Sequence, residues 1–416
     1  MEANMDSYVK NIDHRRLGEE LDLYSFYEEA PGCPFYHPKG IFLREYLIRR
    51  WRLLHQKNNY KEIISPQLMK EELWEKSGHS DLFSELMFYS SDGESKLALK
   101  PMSCPGAILF YKRKLKSYKD LPVRLCELGH VHRNEPSGAR NGLLRARSFV
   151  QDDAHIFCSE KMVKDELQKI LNLARELLAS FGFKDFYFEI SLRDYSKQGK
   201  YLGKDSMWIK LENILVELME ENDLSYVKKH GEAKFYGPSL DLHLKDSNGN
   251  NWQCSSVQID FNLPKRFDVS FINEKGEKEI PILIHRALYG SLERFLGILV
   301  EHYEGVFPFA MSPIQFRIAP INQEQHSYAR EVESKLEKMG FRVEVDDRSI
   351  SFSKKVRNFY SSKEPYLIIV GKSEMEKGLI SFRSRSGALK KEIDLSELLK
   401  DGGDSNHPLF GYHDES

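Results

Sequence analysis

The amino-acid sequence predicts an α+β protein: an antiparallel sheet with helices grouped around it, followed by a small, separate α/β domain. Two extended runs, Lys234 to Leu244 and Asn251 to Phe261, flank Asp246-Ser247-Asn248-Gly249, and Asn-Gly between strand-like runs signals a hairpin. Helical segments stand in groups beside such runs instead of alternating with them one for one, which argues against a doubly wound sheet. After Pro313 the rhythm changes to strand, helix, strand, helix, strand, the pattern of an independent α/β unit. At 416 residues the chain is too long for one ordinary core, so two or three domains are expected.

The elements follow in order. Ile41 to Gln56 carries Phe42, Tyr46, Leu47, Trp51 and Leu54 among polar residues, a helical period with one apolar face. Lys57-Asn58-Asn59 turns into a short strand, Tyr60 to Ser65, which stops at Pro66 because proline cannot donate to a ladder. A second helix is predicted from Lys161 to Ala179, buried through Leu167, Ile170, Leu171, Ala174 and Leu178 and closed by Gly182. Phe186 to Leu192 alternates like a strand, and Ser206 caps a helix running to Glu221. Ile280 to Ile284 reads as a buried strand, with a helix starting near Ser291. In the last unit the strands are Ile314 to Ala319, Phe341 to Val345 and Tyr366 to Val370, and the helices Gln323 to Met339 and Ser353 to Tyr360. The polar tail from Asp401 is expected to be flexible.

Hydrophobic residues make up 41% and charged residues 30%, a globular composition that excludes disordered and membrane-spanning classes. The N-terminal MEANMDSYVKNIDHRR lacks the apolar core of a secretory signal, which points to the cytoplasm. The 5 cysteines (Cys33, Cys104, Cys126, Cys158, Cys254) are scattered and never form CxxC, arguing against a disulfide framework or zinc ribbon. A net charge of −2 announces no global field for nucleic acid. Any such contact must be a local patch, with Lys112, Arg113, Lys114 and Lys116, or Lys354, Lys355 and Arg357, as candidates; each run also reads as a solvated helix face.

The chemistry concentrates in CELGHVHRNEPSGARNGLLRARSFVQDDAHIF, Cys126 to Phe157. A buried strand leading into an arginine-rich loop can set guanidinium forks on a polyphosphate, although Arg133 with Glu135, read alone, is only an exposed ion pair. Arg133-Asn134-Glu135, then Arg145, Arg147, Phe149 and Gln151-Asp152-Asp153-Ala154-His155, resemble the second signature motif of class II aminoacyl-tRNA synthetases, and specifically of the threonyl-tRNA synthetase family. The helix and strand ending at Pro66 resemble the first motif, and Gly290-Ser291-Leu292-Glu293-Arg294-Phe295 the third. The likeness runs in order from about Asp13 to Lys400.

The resemblance implies a class II catalytic domain over residues 1–308 and an anticodon-binding α/β domain over 309–400, with 401–416 as tail. Because it begins near Asp13, it also implies a form lacking the N-terminal editing domains. It implies threonine activation by ATP, transfer to the 3′ end of tRNA(Thr), and a homodimer built through the first motif. Arg133 would hold the α-phosphate and the charge growing in the transition state. Glu135 would accept from the adenine amino group and Phe149 would stack on the ring. Arg145 and Arg294 would grip the outer phosphates or the base, with Gln253 and Ser256 also at ATP and Mg²⁺ neutralising the pyrophosphate.

Cys104, His155 and His285 form no local metal motif and each alone reads as a packed residue. The resemblance makes them ligands of a catalytic zinc with a position open for the amino and hydroxyl groups of threonine. Gln151, Asp153, Tyr236 and Gln258 would orient that substrate, and His79 would assist transfer to the terminal ribose. The chain departs from the family pattern near the substrate: PMSCPGA stands for PMNCPGH, so Ala107 replaces a histidine, Asn141 another histidine, Ser239 a lysine and Ser255 a glycine. The alternative readings are a paralogue making threonyl-adenylate for a non-tRNA acceptor, or a non-catalytic RNA-binding regulator. Retention of Arg133, Glu135, Arg294 and the metal set argues against the second.

Overall fold

The computed structural model describes residues 12–91, 93, 95–183, 186–197, 200–245, 249, 251–387 and 389–395. These fall into two compact units: Phe26–Pro34 with Leu47–Ile298, and the described parts of Met1–Ser25, Phe35–Tyr46 and Leu299–Ser416.

The first unit is organised by an eight-stranded sheet. Its strands are β1 (Lys61–Glu62), β2 (Val123–His132), β3 (Ser148–Cys158), β4 (Phe186–Leu192), β5 (Tyr226–His230), β6 (Ser239–Lys245), β7 (Asn251–Asp260) and β8 (Ile282–Ser291). The spatial order is β5-β4-β6-β7-β8-β3-β2-β1. All inner pairings are antiparallel, and only the edge strands β1 and β5 run parallel to their neighbours.

Alternation along a strand sends successive side chains to opposite faces. On β3 and β8 one face therefore carries Phe149, Gln151, Asp153, His155 and His285, and the other carries Asp152, Ala154, Ile156, Ile284 and Arg286, all buried. This second face meets α1 (Pro38–Lys57), whose His55 ring lies 3.9 Å from Trp51 and accepts from the Arg286 guanidinium. The first face is approached by α2 (Cys104–Lys112), which packs Ala107, Ile108 and Tyr111 with Leu125, Phe157 and Leu283. Two longer amphipathic helices, α3 (Val163–Ala179) and α4 (Asp205–Glu221), flank the sheet. The helix α5 (Leu292–His302) continues directly from β8.

The α+β expectation is met, as are the helices and the strand Phe186–Leu192. Several boundaries differ. Only Lys61–Glu62 of the run Tyr60 to Ser65 pairs, as an edge strand. The run from Lys234 becomes strand only at Ser239, after an isolated bridge between Lys234 and Gly237. Ser206 does not cap α4: the cap is Lys204, with no side-chain bond, because the helix already begins at Asp205. The buried strand placed at Ile280 to Ile284 runs instead from Ile282 through Ser291. Asp246, Ser247 and Asn248 of the hairpin turn, and the tail from Asp401, lie outside the described residues.

In the second unit, β9 (Phe316–Pro320), β10 (Val343–Val345) and β11 (Tyr366–Val370) are parallel in the order β10-β9-β11, as the strand-helix rhythm predicts. The sheet then gains two antiparallel strands that the sequence reading omits, β12 (Ile380–Ser384) and β13 (Leu389–Ile393). The two parities of β9 and β11 serve two cores. Phe316, Ile318, Ile368 and Val370 pack with Ala329, Val332 and Leu336 of α6 (His326–Lys338), whereas Ala319, Leu367 and Ile369 pack with Phe359 of α7 (Phe352–Ser361). Lys355 is not part of a surface patch. It is 3% exposed and donates to the carbonyls of Pro320 and Asp346, leaving Lys354 and Arg357 exposed.

Candidate active site

His155 and His285 are directly opposed across the β3–β8 pairing, so their rings share one face and meet edge to face at 5.2 Å. Cys104, at the first turn of α2, brings its thiol over that pair, and the three ligand atoms lie within 4.8 Å of one another. The close approach depends on Gly129 of β2, opposite Gln151: a Cβ there would stand 2.1 Å from the Ser103 hydroxyl. Burial pushes His155 well below the usual imidazole range, keeping one ring nitrogen unprotonated and able to act as a ligand, and raises the Cys104 thiol. One sulfur and two imidazoles with a further position open is the donor set of a catalytic zinc site. His285 is oriented by Asp260, whose Oδ2 lies 3.0 Å from its Nε2, as outer carboxylates orient metal-binding imidazoles.

Around this cluster stand other residues singled out from the sequence. Nε2 of His79 lies 3.6 Å from the Cys104 sulfur and 3.2 Å from that of Met102. Burial lowers the pKa of His79 to about 4. The Tyr236 ring is 5.6 Å from His285, and its hydroxyl donates to Gln258, the cross-strand neighbour of His285. Burial raises the Asp153 carboxyl to about 6.

Further along β3 the same face changes character. Arg133 donates to Gln151 Oε1 at 3.1 Å and to the Pro101 carbonyl at 3.2 Å, with its guanidinium 5.2 Å from the Phe149 ring centre. Glu135 accepts from Arg145 at 2.9 Å. Arg294, on α5, donates to the carbonyls of Leu144 at 3.0 Å and Gln253 at 3.1 Å. Gln253 and Ser256 both donate to Asp241 Oδ1 at 2.6 Å. The structure thus gathers the expected residues into a thiol–imidazole end and a guanidinium-rich end of one sheet face.

Sequence reasoning missed the acids that hold these groups: Asp260 behind His285, Asp241 behind Gln253 and Ser256, and Asp152 on the reverse of β3. It also missed a buried ion pair, Lys100 to Glu127 at 2.7 Å, which gathers in Ser65. The available signal was charge inside otherwise apolar strand registers, since a buried charge requires partners.

The tRNA synthetase class II core domain (G, H, P, S and T) matches residues 87–303, and an anticodon binding domain matches residues 315–401. The RNA binding domain of threonyl-tRNA synthetase from Cryptosporidium parvum Iowa II is similar in structure, with a TM-score of 0.87 and 33% identity, covering 95% of this chain and 99% of that one. The chain belongs to the threonyl-tRNA synthetase family. A threonine–tRNA ligase of Caldanaerobacter subterraneus subsp. tengcongensis is 45% identical over 95% of the chain, and one of Carboxydothermus hydrogenoformans 46% identical over 91%. The chain spans 61% and 59% of their lengths. In this synthetase core the matched region contains every residue discussed above from Lys100 to Arg294, and His79 lies just before it. Among the described residues no helix is long and apolar enough to cross a membrane.

Proposed function

We propose that the chain activates threonine with ATP and transfers it to the 3′ end of tRNA(Thr). The observation that carries this reading is the convergence of Cys104, His155 and His285 within 4.8 Å beside Asp153, on the sheet face that also holds Arg133 and Phe149. Cys104, His155 and His285 would hold zinc, which would supply Lewis-acid recognition of the amino and hydroxyl groups of threonine. Asp153, Gln151, Tyr236 and Gln258 orient that amino acid. Arg133 presents a fixed cation to the α-phosphate, where charge grows as the carboxylate attacks. Phe149 offers its ring to adenine, Glu135 accepts from the exocyclic amine, and Arg145 and Arg294 hold the outer phosphates or the other face of the base, where Mg²⁺ would neutralise the pyrophosphate. Gln253 and Ser256 complete the nucleotide site, and His79 serves the transfer step.

The reading includes a catalytic domain over 1–308, an anticodon-binding domain over 309–400, a homodimer and a cytoplasmic location. ATP–pyrophosphate exchange with a panel of amino acids, run beside tRNA charging, tests it. Threonine should support the fastest exchange and tRNA(Thr) should be charged. Absence of threonine-dependent exchange would overturn the reading, and exchange without charging would redirect it to a non-tRNA acceptor.

A further inference from the structure

We propose that Asp152, assisted by Ser255, is a positioning residue that sets the place of Arg294 and thereby the nucleotide half of the site. The inference rests on the ATP-dependent reading above. Against β3, the register of β8 shifts: Ala287 faces Asp153 and Ser291 faces Gln151, so Leu288, Tyr289 and Gly290 stand opposite Asp152 alone. Three residues against one deprive backbone N–H groups of ladder partners, and buried N–H groups must find acceptors.

The Asp152 carboxylate, 0% exposed, accepts all three. Leu288 N and Tyr289 N donate to Oδ2 at 2.8 and 3.0 Å, and Gly290 N donates to Oδ1 at 3.0 Å. Burial raises the Asp152 carboxyl to about 7; its ionised form fits this task because it is an acceptor only, whereas an amide would turn a donor onto a donor. From β7, the Ser255 hydroxyl donates to the Leu288 carbonyl at 2.6 Å. Gly290, at φ 82°, lets the backbone pass where a Cβ would lie 2.7 Å from the Cys254 carbonyl.

The path from this bulge to Arg294 is short and pinned again. Ser291 Oγ accepts from Arg294 N at 3.1 Å, and Glu293, 4% exposed, accepts from Val150 N at 2.8 Å. An acid on β3 thus holds the backbone leading to α5, and an acid on α5 holds the backbone of β3. Strand alternation puts Asp152 on the face opposite Gln151 and Asp153, so Asp152 does not face the nucleotide itself, and the pinned backbone that it holds leads to Arg294.

Calorimetric MgATP binding and threonine-dependent exchange, measured for Asp152→Asn and Ser255→Ala in the wild-type and Arg294→Ala backgrounds, form the test. Asp152→Asn should weaken MgATP binding by roughly tenfold or more, and Ser255→Ala by about threefold. Zinc content and the KM for threonine should stay within about twofold, and neither change should weaken MgATP binding further once Arg294 is absent. Unchanged MgATP affinity, undiminished effects in the Arg294→Ala background, or parallel loss of zinc and threonine binding would each overturn the proposal. If Asp152→Asn does not fold, Ser255→Ala decides. Wild-type protein that binds MgATP but shows no threonine-dependent exchange refutes the functional reading and leaves the binding cycle intact as a test of the positioning role.

Discussion

At Cys104, His155 and His285 a candidate metal-binding set is produced by three separate local causes: a register that opposes the histidines, an absent side chain at Gly129, and a helix that begins on the cysteine. No spacing rule reveals such a set, because the topology alone unites residues far apart in sequence. Family likeness was needed to find it, whereas Asp152, quoted within the same motif, received no role because sequence does not say which strand parity faces the substrate. His285→Ala should lose both the metal and threonine activation. Metal analysis showing undiminished zinc, or exchange at the wild-type rate, would contradict the assignment. Discrimination belongs to this scale too. Serine keeps the amino and hydroxyl groups of threonine and lacks one methyl, a difference worth about 10- to 200-fold in a pocket. Serine-dependent exchange should therefore be detectable, with kcat/KM lower than for threonine by about that range. Complete absence of serine-dependent exchange would mean that the pocket selects by more than the methyl.

Strands and helices were legible in proportion to the length of their periodic pattern. The apolar stripe of α3 and the alternation of β4 are long enough to overrule local noise, whereas β1 is a two-residue edge strand that tertiary pairing trims from a longer extended run. The terminal hairpin β12–β13 escaped because its pairing is decided by the β11 edge it joins. Packing between α1 and the sheet has a consequence for pH. His55 is buried against Arg286, and burial together with that positive charge lowers its pKa from 6.5 to about 2. In the unfolded chain the imidazole takes up a proton below about pH 6.5, and in the folded protein it does so only far lower. Its contribution is therefore complete above the unfolded value and falls as pH drops from there toward 2. Thermal denaturation should show a lower Tm at pH 5 than at pH 7.5, and His55→Gln, which keeps an acceptor for Arg286 but cannot titrate, should flatten that dependence. An equal pH slope in the variant would rule out His55 as its source.

Across the whole molecule the chemistry divides between two units with separate cores. Arg133, Phe149, Arg294 and the thiol–imidazole cluster all belong to the unit of Leu47–Ile298, whereas β9 to β13 form their own sheet and cores in the other. With a net charge of −2 the protein offers no global attraction for RNA, so the tRNA affinity that the proposed function requires would arise from local basic positions and should be sensitive to salt. The exposed Lys354 and Arg357 on α7 are candidates in the second unit. If nucleotide chemistry and tRNA affinity are separable in this way, paired variants should dissociate them. Arg133→Ala should reduce pyrophosphate exchange by about 10²- to 10³-fold, the usual effect of removing one transition-state donor, and leave the Kd for tRNA(Thr) within about twofold. Lys354→Glu combined with Arg357→Glu should do the reverse, weakening tRNA binding and reducing its salt slope by up to about two while exchange proceeds normally. Filter binding at several salt concentrations, beside exchange assays on the same preparations, reads both effects. Loss of tRNA affinity in Arg133→Ala would show that phosphate recognition and tRNA binding are coupled, and an unaltered salt slope in the α7 double variant would move the tRNA contact elsewhere on the surface.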